Sequence, residues 1–96
     1  MSKEVLSKVC KIVSAEFGIY PREMRENSRL QNIVFARMVL SSICNQKFKI
    51  RQYEIAEFFN QTQPSVNVYV RNCNNELKFN EAFRLKYESV LKKVIK

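Results

Sequence analysis

Ninety-six residues suit one domain spanning 1–96. With 17 Lys and Arg against 9 Asp and Glu, a formal charge of +8 favours a polyanionic partner. Apolar residues are 46% of the chain beside one Gly and two Pro, which predicts an all-α, compact bundle of five to six helices. With no histidine, no Gly-rich phosphate loop and no convergent carboxylate pair, the chain is expected to be neither an enzyme nor the holder of a cofactor or metal.

Cys10, Cys44 and Cys73 lie far apart, each on an apolar helical face. An odd count without close spacing argues against a disulfide framework, so all three are expected as reduced core residues in the cytoplasm. The N-terminus lacks a long apolar run, so no signal peptide and no membrane partner are expected.

Ser2 is placed to cap a first helix reaching about Phe17, with Val5, Leu6, Val9, Ile12, Val13 and Phe17 at helical spacing. Gly18 should end it with a positive φ, Ile19 turning back to the core, and Pro21 should open one short turn through Met24. Ser28-Arg29-Leu30-Gln31 has the form of a capping box. The helix it opens, about 29–44, is apolar or small almost all round and should be central. Arg37 on that helix is expected to pair with Glu54 or Glu57 and hold the core. Asn45 to Lys49 reads as a loop with Phe48 as its anchor.

Residues 52–71 read as two helices meeting at a tight turn. Ile55, Ala56 and Phe59 face inward from the first, and Val66, Val70, Cys73 and Leu77 from the second, which should run to about Leu77. Asn60 suits a positive φ at the turn, Thr62 the N-cap, and Pro64 the first helical turn. Asn80 offers a last N-cap, followed by a stripe of Phe83, Tyr87, Val90, Leu91 and Val94 with Arg84, Lys86, Lys92, Lys93 and Lys96 opposite.

The run Glu54-Ile55-Ala56-Glu57-Phe58-Phe59-Asn60-Gln61-Thr62-Gln63-Pro64-Ser65-Val66 resembles the helix-turn-helix of DNA-binding proteins. That family's pattern has Ile-Ala, then an apolar residue with Gly or Asn, then Ser/Thr-Gln-Pro-Ser/Thr-Val. With Ala36-Arg37-Met38 on the long buried helix before it, the layout over about 9–79 is similar to the C-terminal domain of the replication initiator DnaA, and equally distantly to the Trp repressor. The DnaA signature Arg-Asp-His-Thr-Thr-Val is replaced here by Gln61-Thr62-Gln63-Pro64-Ser65-Val66. The turn is one residue shorter, and only Ser65 and Val66 keep the signature's character.

The resemblance implies that the second motif helix lies in the major groove of double-stranded DNA, its N-terminal residues against base edges. Thr62, Gln63, Pro64, Asn67, Val68, Arg71 and Asn72 then become the base readers, Gln63 and Asn67 foremost. Gln and Asn can bond adenine, Arg71 suits guanine or a phosphate, and Val68 or Pro64 can meet a thymine methyl. Lys47, Lys49, Arg51, Gln52, Gln61 and Ser65 are the phosphate candidates, and Arg29 is carried over from the basic turn of DnaA-like domains. The expected role is transcription regulation or replication initiation. The alternative is a protein-interaction module on the same scaffold without DNA binding. RNA binding is a third option, with Tyr20, Tyr53 and Tyr69 as its only candidate platforms. The final helix either closes the core or forms a homodimer surface.

Overall fold

The computed structural model describes residues 2–95, so Lys96 lies outside them. Among these residues are five α-helices: α1 (Ser2–Phe17), α2 (Gln31–Ser42), α3 (Gln52–Phe59), α4 (Gln63–Phe79) and α5 (Glu81–Ile95). A 3-10 turn (Pro21–Arg25) lies between α1 and α2, and a wide π-type turn (Ile43–Lys47) continues α2. No strand occurs among the described residues, and the all-α bundle matches the expectation. No helix among them is long and apolar enough to cross a membrane.

The expected central helix is indeed central. α2 buries Ile33, Ala36, Arg37, Met38, Val39, Leu40, Ser41 and Ser42, which cannot all lie on one face, and it packs against both α1 and α4. α1 supplies Leu6, Val9, Val13 and Phe17 to the core and ends at Gly18 (φ 68°). The Ile19 N–H there donates to the Ser14 carbonyl at 3.0 Å, a Schellman closure. α5 closes the bundle with buried Phe83, Tyr87 and Val90, the Phe83 ring standing edge-on to Phe35 with centroids 5.0 Å apart. Asn80 caps it as expected, Oδ1 accepting from the Phe83 N–H at 3.1 Å. Glu16 ties α5 to α1, accepting from Ser89 Oγ at 2.9 Å and from Lys93 Nζ at 3.3 Å.

All three cysteines are buried and unbridged. Burial raises their thiol pKa values, that of Cys44 to about 12 and that of Cys73 to about 11.

Three local expectations are corrected. Ser28 does not cap α2, which starts at Gln31; its Oγ accepts only from the Leu30 N–H (3.3 Å), while its carbonyl is held by Arg37. A reciprocal carboxylate contact occurs instead at the 3-10 turn, where the Tyr20 N–H donates to Glu23 Oε1 at 2.8 Å. The loop after α2 is anchored by Ile50 (5% exposed) rather than Phe48 (39% exposed). Lys49 takes φ 59°, which turns the chain so that Ile50 comes back inward, and the Ile50 carbonyl accepts from Asn45 Nδ2 at 2.9 Å. Arg37 is buried and structural, as expected, but its partners are the carbonyls of Met24, Glu26 and Ser28 rather than Glu54 or Glu57. α4 also runs two residues beyond Leu77, to Phe79.

Candidate nucleic-acid interface

The turn between α3 and α4 is built from adjacent residues with distinct duties. Asn60 sits in the left-handed region at φ 60°, ψ 40°. Its N–H donates to the Glu57 carbonyl at 3.2 Å and the following Gln61 N–H to the Ala56 carbonyl at 2.8 Å, closing α3 in a Schellman motif. Thr62 is extended (φ −90°, ψ 157°), and its Oγ1 accepts from the Ser65 N–H at 3.3 Å while bonding Ser65 Oγ at 2.9 Å. Pro64 occupies the first turn of α4, where a missing N–H leaves no ladder bond unmade. Ala56 is buried beneath the turn, and the Phe59 ring meets Tyr69 edge-on at 6.3 Å. Val66, Val70 and Cys73 are buried along α4, so its opposite face is fixed outward; Leu77 is only half-buried.

That outward face carries the expected residues. Thr62, Gln63, Pro64, Asn67, Val68, Arg71 and Asn72 are all exposed. Gln63, Asn67 and Arg71 follow one another at i, i+4 and i+8, one residue per turn. No acidic residue occurs from Gln61 to Asn75. Glu76 follows directly, half-buried, and accepts from Asn80 Nδ2 at 2.9 Å; Glu54 and Glu57, on the preceding helix, line a hollow with Lys3, Leu6, Arg25 and Phe58.

The candidate phosphate contacts divide into two groups. A cleft of about 560 Å³ brings Arg29 together with Gln61, Pro64, Ser65 and Val68. On the other flank, Gln52 Nε2 donates to Asn67 Oδ1 at 3.5 Å, joining the start of α3 to the middle of α4's exposed face. Arg51 is exposed beside it as the residue preceding α3. Lys47 and Lys49 are exposed on the preceding turn, and no side-chain bond among the described residues joins them to α4.

Two residues at this surface escaped the sequence reading. Arg25 and Asn27 line a second hollow, of about 550 Å³, with Asn60, Gln61 and Thr62. The available signal was the density of arginines at 22, 25 and 29 in the turn before α2. Of the tyrosines, Tyr20 is exposed but its ring is covered by the Arg22 guanidinium, 4.7 Å from the centroid. Tyr53 is exposed and Tyr69 half-buried against Phe59. No group of three or more His, Cys, Asp or Glu among the described residues could hold a metal ion.

Comparison with known proteins agrees with this geometry. The family described as the bacterial DnaA protein helix-turn-helix matches residues 6–71. The chromosomal replication initiator protein DnaA of Nautilia profundicola is 32% identical over 95 residues, 96% of this chain and 22% of the relative. That of Campylobacter concisus is 29% identical over 91 residues, 94% of this chain and 21% of the relative. The chain therefore spans about a fifth of the length of these curated relatives. No solved structure matches it.

Proposed function

This chain belongs to the bacterial DnaA helix-turn-helix family, and on that premise we propose that it is a single-domain unit that binds double-stranded DNA with α4 in the major groove. The observation that carries the reading is the exposed face of α4, mostly amides and hydroxyls and free of acid from its N-cap to Asn75. A merely solvated helix face tends to carry Lys and Glu, whereas Asn, Ser and Thr weaken a helix by competing for its backbone. Gln63 and Asn67 can each bond the N6 and N7 of adenine. Arg71 can take guanine or a phosphate, and Pro64 and Val68 can pack on thymine methyl groups. Thr62 and Asn72 extend the contact at either end. Arg29, with Gln61 and Ser65, holds one backbone strand across the cleft, and Gln52, Arg51, Lys47 and Lys49 meet the other. These contacts position the helix, and the groove contacts select the sequence.

Replication initiation is the setting favoured by the relatives, each named a chromosomal replication initiator. The residues from Gln61 to Val66 depart from Arg-Asp-His-Thr-Thr-Val, so the preferred site should be this chain's own. A second reading, protein contact on the same scaffold by a partner or a second copy, is favoured by Phe79 (85% exposed) with Leu85 and Ile95 on α5. Fluorescence anisotropy with a random pool of labelled duplexes at two salt concentrations separates the two. Binding that weakens with salt, and selects a site that Gln63→Ala with Asn67→Ala no longer distinguishes, supports base reading by α4. No binding at low salt would sink it.

A further inference from the structure

Arg37 lies on α2 and is 3% exposed, yet every hydrogen bond it makes runs to one loop. Nε donates to the Met24 carbonyl at 3.0 Å, Nη1 to the Ser28 carbonyl at 2.8 Å, and Nη2 to the Glu26 carbonyl. Met24 belongs to the last part of the 3-10 turn and Glu26, extended at φ −86°, ψ 157°, follows it, so the guanidinium takes one carbonyl from the turn and two from the chain that leaves it. The 3-10 turn is held by its own hydrogen bonds and by packing on α1, α2 and α3. The chain after it has fewer restraints: the Glu26 N–H donates to the Glu23 carbonyl and the Leu30 N–H to Ser28 Oγ. Met24 is the loop's single buried apolar side chain, and no helical ladder runs from Glu26 to Leu30. One planar guanidinium therefore ties the end of the 3-10 turn and the chain after it to α2.

Residues between and just after the clamped carbonyls reach the candidate interface, and Ser28 and the buried Arg37 line the floor of the same cleft. Arg25 and Asn27 line the hollow with Asn60, Gln61 and Thr62, while Asn27 and Arg29 line the cleft with Pro64, Ser65 and Val68. We infer that Arg37 is a positioning residue for DNA binding: by clamping the Met24, Glu26 and Ser28 carbonyls, it holds Arg25 beside the α3–α4 turn and Arg29 beside α4 so that loop and helix meet one duplex. The inference rests on the DNA-binding reading. Three donors in a fixed fork are needed, so charge alone cannot replace the clamp, and a lysine ammonium on a flexible stem reaches fewer carbonyls at once. Without the clamp the loop must be ordered at the moment of binding, at a cost in conformational entropy.

The test is the slope of log K against log salt, measured with a random-sequence duplex pool. Each DNA charge neutralised contributes about 0.9 to that slope, so Arg25→Ala with Arg29→Ala should lower it by about 1.8. Arg37→Met, which contacts no DNA in this scheme, should lower the slope toward the same value and weaken binding at fixed salt by roughly tenfold. Introduced into the Arg25→Ala/Arg29→Ala protein, it should change neither quantity further, since its effect passes through those two side chains. Arg37→Lys keeps the charge and the stem, and serves if Arg37→Met does not fold; its slope should fall as well. An Arg37 variant that lowers only the melting temperature, with affinity and slope as in the wild type, overturns the inference. So does a loss that adds fully to that of Arg25→Ala/Arg29→Ala. Failure of the wild-type protein to bind any duplex is a different result, and removes the DNA-binding reading together with this one.

Discussion

Asn60 offers a sharp test of how the motif is held. It occupies φ 60°, ψ 40°, and among the described residues its side chain makes no hydrogen bond, so substitutions there report on backbone preference. An ordinary L residue in the left-handed region costs roughly 1–2 kcal/mol, and Asn escapes part of this. Asn60→Ala should therefore destabilise the fold by about 1 kcal/mol, lowering the melting temperature by ~4–8 °C for a domain of this size. Asn60→Val should lose more, because its branched Cβ is least tolerant of positive φ. Asn60→Gly should stay within about 1 kcal/mol of the wild type, relief of strain being offset by greater freedom of the unfolded chain. Gly18 supplies the internal reference: φ is 68° and an added Cβ would meet nothing within 4 Å, so Gly18→Ala measures conformational cost alone, about 1 kcal/mol. Urea unfolding of all four variants gives the comparison. If Asn60→Ala were as stable as Asn60→Gly while Gly18→Ala lost stability, the turn would not be held in the left-handed region. If Asn60→Ala lost several times what Gly18→Ala loses, the Asn side chain would have a partner that the structure does not show.

Other expectations follow from single contacts. Thr62→Ala removes the acceptor for the Ser65 N–H and should cost about 1 kcal/mol in urea unfolding, whereas Thr62→Asp should retain most of the stability. Ile50→Ala should cost ~2–5 kcal/mol and Phe48→Ala far less, since Ile50 is the buried residue of that loop; equal losses would contradict the anchor assigned to Ile50. The buried thiols make stability pH-dependent on the alkaline side. Their folded pKa values lie above the ordinary value near 9, so the folded state holds protons that the unfolded state releases. Stability should be unaffected by these groups below pH 9 and fall from there toward pH 11–12, at up to ~1.4 kcal/mol per pH unit for each thiol. Replacing Cys44 and Cys73 with Ala should flatten that decline in pH-jump urea titrations.

The parts of this molecule legible in its sequence are those where neighbouring residues agree on one local geometry. Around the α3–α4 turn, Ala56, Asn60, Thr62, Pro64 and Val66 each satisfy a separate requirement within eleven residues, and the turn forms as expected. The exposed face of α4 was legible for the same reason: Val66, Val70 and Cys73 fix which side is buried. Between Ile43 and Ile50 no such agreement exists. Phe48 and Ile50 compete for one inward place, and the choice falls to a positive φ at Lys49, a residue type with no preference for it. Ser28 and Gln31 have capping-box spacing, but the carbonyl of Ser28 is captured from a distance by Arg37.

Arg37 also explains why part of the candidate interface stayed hidden. A buried cation invites pairing with a carboxylate, and Glu54 and Glu57 stood at hand. Backbone carbonyls carry no residue identity, so a guanidinium that selects three of them leaves no trace in the pattern of side chains. On the inference drawn above, the consequence reaches the surface, where Arg25 and Asn27 line a hollow with the turn. The two sides of the interface thus have different origins. Contacts from α4 are specified locally and should respond to substitution one residue at a time. Contacts from the arginine-bearing loop are specified by α2, so a change in the core should alter them together.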